Sequence, residues 1–172
     1  MELHIRQANV ADAAALAELG AKTFYDTFHT FQTEEDMNKY LSSTYTPEKV
    51  KANLEKPDVF YYLAEYNNTA VGYAKLLLDV PVEQMKGDRV MEMEKIYVLQ
   101  DYLGKGVGKK LMQQSIVAAV HEKFDWMCLG VWQHNTKAID FYKQFGWEIF
   151  DTRKFQLGSK IEDDFLMRIK LK

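Results

Sequence analysis

Alternation of apolar and polar residues at the start of the chain predicts a strand followed by a helix. Leu3–Ala8 alternates with the period of two that is typical of a strand. Asn9 has the side chain of a helix N-cap, and Asp12 three residues later completes a reciprocal cap. The helix is predicted to run to about Phe28. Four positions supply its apolar stripe: Leu16, Leu19, Thr23 and Phe24.

Two further helices and a hairpin are predicted next. One helix spans Glu34–Leu41, and another begins at Thr46–Pro47, a cap residue followed by proline at the first helical position. The runs Val59–Glu65 and Ala70–Leu78 are rich in apolar and β-branched residues, and Asn67–Asn68 between them is a turn sequence. These two runs therefore form the predicted hairpin.

The second half alternates strands with helices. The predicted elements are, in order, strand Met91–Val98, helix Gly104–Lys123, strand Trp126–Trp132, helix Thr136–Phe145, and strands Trp147–Leu157 and Asp164–Leu171. The long helix is expected to bury Val107, Leu111, Ile116 and Val120. This strand–helix–strand–helix–strand order predicts parallel pairing, with helices covering an α/β sheet.

Composition narrows the class of protein. A length of 172 residues fits a single domain spanning residues 1–172. With 22 Lys and Arg against 25 Asp and Glu, the net charge is −3, so a nucleic-acid partner is not expected. Cys128 is the only cysteine, which excludes an intrachain disulfide and a cysteine zinc cluster. No apolar run reaches the length of a membrane helix, so we expect a cytoplasmic protein without a membrane partner.

The segment between the predicted strand Met91–Val98 and the long helix has the chemistry of an anion site. Gly104, Gly106 and Gly108 alternate there with other residues, and three lysines add positive charge: Lys105, Lys109 and Lys110. Backbone N–H groups at a helix N-terminus bind anions, and glycine lets a phosphate approach closely. The alternative is a glycine-rich turn with solvated lysines. A P-loop is excluded, because Gly108-Lys109 is followed by Lys110 rather than by Ser or Thr.

The glycine segment and a second motif together resemble a known superfamily. Gly104-Lys105-Gly106-Val107-Gly108 follows a strand, and Asn135, Ala138–Tyr142 and Phe145–Trp147 come about thirty residues later. This combination resembles the GNAT superfamily of acetyl-CoA-dependent N-acetyltransferases. Leu103 departs from the superfamily's loop pattern, which has Gln or Arg there, so the resemblance implies a backbone cradle without that side-chain contact.

Two shorter segments look like a subfamily, the PaiA-type spermidine/spermine acetyltransferases. They are Thr23-Phe24-Tyr25-Asp26-Thr27-Phe28 and Leu129-Gly130-Val131-Trp132. The resemblance implies a mixed sheet of about seven strands flanked by four or five helices, acetyl-CoA as cosubstrate, no metal, and a homodimer. It also implies a set of coenzyme-binding residues: Ile96, Tyr97, Val98, Gly104, Lys105, Gly106, Val107, Gly108, Lys109 and Asn135.

Acetyl transfer to an amine requires removal of a proton from the ammonium and stabilisation of the departing thiolate. Glu92 and Glu94 share one face of their predicted strand, so either could be the general base; alternatively they pair with Lys95 or Arg89. The resemblance makes Tyr142 the acid that protonates the thiolate, whereas its spacing alone also fits a core aromatic residue.

The function expected from these residues is acetylation of a polyamine such as spermidine. An acidic cluster, Glu34, Glu35 and Asp36, could attract such a cation, or simply complement its own helix dipole. The alternatives are a protein N-terminus or another small amine as acceptor, and a non-catalytic sensor of acetyl-CoA. Cys128 is expected to be a buried inert thiol, and the four histidines have no metal-ligand spacing.

Overall fold

Side-chain caps fix where the first helix begins. In the computed structural model, which describes residues 2–172, the Asn9 side chain accepts a hydrogen bond from the Ala11 N–H at 2.9 Å. The Asp12 carboxylate accepts one from the Asn9 N–H, also at 2.9 Å. The predicted reciprocal cap is confirmed, and a short 3-10 turn leads from it into the helix.

Five α-helices and seven β-strands make up the fold. The helices are α1 (Ala13–Phe28), α2 (Glu34–Thr44), α3 (Pro47–Leu54), α4 (Val107–His121) and α5 (Thr136–Gln144). The strands are β1 (Leu3–Gln7), β2 (Val59–Tyr66), β3 (Thr69–Leu77), β4 (Val90–Val98), β5 (Trp126–Trp132), β6 (Glu148–Leu157) and β7 (Lys160–Lys170). The β2–β3 turn is the predicted one, with Asn67 and Asn68 both at positive φ.

The seven strands form one mixed sheet in the order β1-β2-β3-β4-β5-β7-β6. The parallel pairing expected in the second half is confirmed for β4 and β5. Strand β6 does not pair with β5, because β7 lies between them and is antiparallel to both. The reason is that β6 and β7 are joined as a hairpin, so that β7, not β6, continues the sheet from β5.

Helices cover both faces of this sheet. Helices α1 and α3 pack on one face through a cluster that includes Leu16 and Tyr73. Helices α4 and α5 pack on the other through a larger cluster that includes Met112 and Tyr142. We call the first the N-terminal face. None of the helices described in residues 2–172 combines the length and apolar character needed to cross a membrane.

The buried stripe of α4 differs in part from the predicted one. Val107 and Leu111 are buried as expected, and Ile116 packs partly against the core. Val120, however, is 50% exposed, and the neighbouring Ala119 is buried instead. One residue advances a helix by about 100°, so Val120 is turned away from the stripe that Leu111 and Ala119 share.

Candidate active site

The centre of the sheet opens where β4 and β5 stop pairing. Their parallel pairing covers only Val90–Glu92 and Trp126–Cys128. Beyond it, the second half of β4 has a partner on β3 but none on β5 among residues 2–172. This half of β4 therefore has an open inner edge of backbone donors and acceptors.

A β-bulge lies at the start of this open edge. The β3–β4 pairing steps from Leu76–Met93 to Lys75–Lys95, so Glu94 is the extra residue. A bulge bends the strand and redirects neighbouring side chains. Here it brings charged side chains onto the N-terminal face of the sheet, next to the gap between β4 and β5.

The glycine segment forms a turn that ends at the first residue of α4, three residues later than predicted. Gly104 and Gly106 both have positive φ, and a Cβ at either position would meet nothing within 4 Å. The first hydrogen bond of the helix runs from the Lys110 N–H to the Gly106 carbonyl, at 3.0 Å. The N–H groups that precede Lys110 at the start of α4 have no partner within the helix, as an anion site requires.

Helix α5 lies beside the glycine turn. A Cβ on Gly108 would be 3.5 Å from the ring of Phe141, so the start of α4 and the side of α5 are in close contact. Asn135 caps α5 by accepting a hydrogen bond from the Ala138 N–H at 3.3 Å. The Lys105 ammonium lies 4.9 Å from the centre of the Tyr102 ring. The fold thus brings together the two motifs that are some thirty residues apart in sequence.

Both candidate carboxylates of β4 are in ion pairs. Glu92 and Glu94 alternate with the buried Met91 and Met93. Glu94 pairs with Lys75 on β3, and Glu92 pairs with Arg153 on β6 at 3.4 Å.

The partners expected from sequence were therefore wrong. Arg89 binds Asp79 instead of either glutamate, at 2.9 Å. Lys95 follows the bulge, and its side chain lies near the rings of Tyr45 and Phe24 instead. The two true partners are distant in sequence and come close only through the order of the strands.

Lys95 is a half-buried cation without a carboxylate partner among residues 2–172. Its ammonium lies 5.1 Å from the centre of the Tyr45 ring and 5.9 Å from that of Phe24. Burial lowers the pKa of Lys95 to about 8; the nearby Lys75 lowers it further, and Glu94 opposes the shift. This desolvation of Lys95 could not be predicted from the sequence, since a lysine on a strand is usually solvated.

Tyr142 lies at the end of α5 with its ring in the core. It is 8% exposed, and it packs against Phe141 and Trp147. Burial raises the pKa of its phenol.

A further polar cluster, missed from sequence, lies on the N-terminal face. Asp164 on β7 is directly opposite Trp132 on β5 and Arg153 on β6. A Cβ on Gly130 would collide with the Arg153 guanidinium and lie 3.4 Å from Asp164 Oδ2. A glycine inside a strand often marks such a close approach. Gly130, between the apolar Leu129 and Val131, was the one available signal.

A cavity of about 230 Å³ adjoins this cluster, and it is lined in part by Glu92, Cys128 and Arg153. Burial raises the pKa of the Cys128 thiol to about 12, and Glu92 adds to the effect. At neutral pH this cysteine is protonated and a poor nucleophile, in keeping with the inert thiol that we expected. Within residues 2–172, no group of three or more His, Cys, Asp or Glu is arranged to hold a metal ion.

Comparison with known proteins identifies relatives of this fold and site. The sequence profile of the acetyltransferase (GNAT) family matches residues 22–147. An uncharacterized N-acetyltransferase in the pepI 3′ region of Lactobacillus delbrueckii subsp. lactis is 29% identical over 164 residues, 95% of each chain.

Two further relatives come from Thermoplasma acidophilum. Its spermidine N(1)-acetyltransferase is 20% identical over 156 residues, 88% of this chain and 92% of that protein. The crystal structure of its PaiA N-acetyltransferase in complex with coenzyme A superposes with a TM-score of 0.82 at 22% identity. That superposition covers 99% of each chain, which confirms the fold.

Replacing Lys95 with Met should raise the free energy of unfolding at pH 7, because an ammonium no longer has to be desolvated. The gain is at most about 3 kcal/mol, from a pKa of about 8 against the usual 10.5. Between these values the unfolded chain holds a proton that the folded chain has released. Native stability therefore rises with pH over this range, and the gain from Lys95→Met shrinks.

Denaturant unfolding of both proteins from pH 7 to pH 10.5 measures this difference. Lys75→Met is the control: it deprives Glu94 of its partner and should not stabilise the fold. A gain of the same size at both ends of the pH range would show that Lys95 is not a desolvated ammonium.

Proposed function

The chain belongs to the acetyltransferase (GNAT) family, and we propose that it transfers an acetyl group from acetyl-CoA to the primary amine of a polyamine such as spermidine. It is an N-acetyltransferase, and we propose direct attack of the amine on the thioester, without an acyl-enzyme. The observation that carries the proposal is the open inner edge of β4, followed by a glycine turn that has open space around Gly104 and Gly106 at the start of α4.

The proposed coenzyme site follows from these two features. The backbone of Ile96, Tyr97 and Val98 offers hydrogen bonds to the pantetheine arm in the manner of an added strand. The turn from Gly104 to Gly108 holds the pyrophosphate on its N–H groups, with Val107 at the helix start and with Lys105 and Lys109 supplying positive charge. Asn135 contacts the coenzyme from the start of α5 while it caps that helix.

Tyr142 is the proposed acid. As the amine nitrogen bonds to the acetyl carbon and the carbon–sulfur bond breaks, the phenol gives its proton to the sulfur. Burial raises the pKa of Tyr142, so it is fully protonated at neutral pH and can act as a donor. The proton lost by the ammonium goes to a carboxylate on the N-terminal face, where Glu92 and Glu94 lie.

A polyamine acceptor is supported by a relative and by charge. The Thermoplasma protein named spermidine N(1)-acetyltransferase matches most of this chain. Of the acidic cluster, Asp36 accepts a hydrogen bond from Ser159 Oγ at 3.3 Å, and it thereby ties α2 to the β6–β7 turn. Glu34 and Glu35 are exposed in the same helical turn and can attract a cationic acceptor toward the proposed site.

A second acceptor class is favoured by a different observation. Lys75, Lys95 and Arg153 lie on the same face as Glu92 and Glu94, which reduces the negative field that a polycation would need. A protein N-terminus or another small monoamine carries one positive charge, so these cations repel it less than they repel a polyamine. A sensor of acetyl-CoA without catalysis is the remaining alternative, and turnover of any amine excludes it.

Changing Gly106 to Glu should greatly weaken binding of acetyl-CoA, because it adds bulk and negative charge where the pyrophosphate is proposed to lie. Gly87→Glu is a matched control, since Gly87 also has positive φ and open space around its Cα but lies in the β3–β4 loop. Calorimetric titration should show affinity lost only in Gly106→Glu. Equal affinity in the two folded variants would contradict the coenzyme site.

Tyr142→Phe should lower kcat roughly 10²-fold, the range for loss of a general acid, with little change in affinity for acetyl-CoA. Tyr25→Phe is the control, since Tyr25 is 43% exposed on α1. Rapid-mixing kinetics should first establish that chemistry limits the rate. An unchanged chemical step in Tyr142→Phe would leave Tyr142 as a core aromatic residue only.

The double variant Glu34→Gln/Glu35→Gln should raise KM for spermidine severalfold and leave KM for a small monoamine almost unchanged. Glu48→Gln/Glu55→Gln, in the first turn of α3 and at its C-cap, is the control, with the same change of net charge on exposed residues. Steady-state kinetics with both amines decide the matter. No spermidine turnover by the native enzyme, together with turnover of a monoamine or a peptide N-terminus, would favour the second acceptor class.

A further inference from the structure

We propose that Asp164 is the general base that receives the proton of the acceptor ammonium. The proposal rests on the proposed function, because it assigns one step of that reaction to one carboxylate. It selects a residue on β7 over the two glutamates of β4.

Asp164 is a buried carboxylate that lacks a protein donor. It is 8% exposed, and no hydrogen bond or salt bridge within residues 2–172 engages its side-chain oxygens. A buried carboxylate without a partner is costly, since desolvation favours its neutral form. A cationic ligand would supply the missing donor, and an ammonium is the cation that this reaction brings.

The other carboxylates near the gap already have partners. Glu94 pairs with Lys75, and Glu92 pairs with Arg153. Glu162 accepts a hydrogen bond from Trp132 Nε1 at 3.3 Å, and Asp163 pairs with Lys154. A base must be free to accept a proton, so this survey favours Asp164.

Asp164 also lies in the right place for a base. It is opposite Trp132 at the end of β5, beyond the last residue of β5 that pairs with β4, and Phe28 and Phe31 of the N-terminal segment pack against that indole. Asp164 therefore lies beside the gap that borders the open edge of β4, on which the thioester is proposed to lie.

The groups around Asp164 tune its basicity. Burial raises its pKa, Arg153 opposes the rise, and Asp163 adds to it. Glu92 pairs with the same guanidinium. The result is a carboxylate more basic than an exposed aspartate, as proton removal from an amine requires.

The proton balance is complete without any further reactant. The ammonium gives a proton to Asp164 and becomes a free amine, whose nitrogen then bonds to the acetyl carbon. The carbon–sulfur bond breaks, and Tyr142 protonates the sulfur. Release of the amide product and of the thiol returns both residues to their starting states through exchange with water.

The test compares Asp164→Asn with Asp58→Asn, the same change of size and charge at an exposed aspartate in the turn before β2. With the full chain, acetyl-CoA and an amine that the native enzyme acetylates, Asp164→Asn should lower kcat at pH 7 about 10²-fold or more. Asp58→Asn should stay within about twofold of the native enzyme. Calorimetry should give the same affinity for acetyl-CoA in all three proteins.

The pH profile separates a base from a structural residue. The defect of Asp164→Asn should shrink as pH rises toward 10, where the amine is already free, and it should be smaller for a weakly basic amine at pH 7. A defect that is the same at every pH and for both amines would overturn the proposal, as would equal kcat in Asp164→Asn and Asp58→Asn. If the native enzyme acetylated no amine, the proposed function itself would fail, so the two failures are distinct.

Discussion

The separation of β4 from β5 is the constraint on which the rest of the structure depends. Buried backbone N–H and C=O groups need partners, so an inner strand with one open edge lowers the stability of the folded state unless another chain or ligand pairs with it. The bulge at Glu94 bends β4 away, and the β7–β6 hairpin continues the sheet from β5 alone. The open edge that results is held in place by a complete sheet on either side, which makes it a fixed site for an extended ligand.

Periodicity in the sequence predicted the elements well because helices and strands are local. The caps at Asn9 and Thr46, the turn at Asn67 and the bounds of β5 all matched the structure. The position of β7 did not follow from periodicity, because alternation of side chains indicates a strand without indicating its neighbour. The prediction that Val120 is buried failed for a related reason: an apolar residue type does not by itself place a side chain on the buried stripe.

The candidate site was predictable in the part that depends on contiguous residues. Glycines at alternate positions before a helix indicate an anion cradle through backbone geometry alone, and the Tyr142 motif was recognised by resemblance. The polar residues were missed where contacts join distant segments. Arg153 meets Glu92, 61 residues away, only through the strand order, and the bulge turns Lys95 onto the N-terminal face of the sheet. Charge burial of this kind has no local signature.

The placement of Lys95 and Asp164 is explained better by a role in the proposed reaction than by a contribution to stability. A lysine against aromatic rings and a carboxylate without a donor both lower the stability of the folded state, since each loses hydration that no protein group replaces. Local violations of this kind are expected where function requires them. Both residues lie on the face of the sheet from which an amine would approach the open edge. Lys95 and Asp164 on this face, and the unpaired backbone groups of β4, are therefore the polar groups that bound substrates would satisfy.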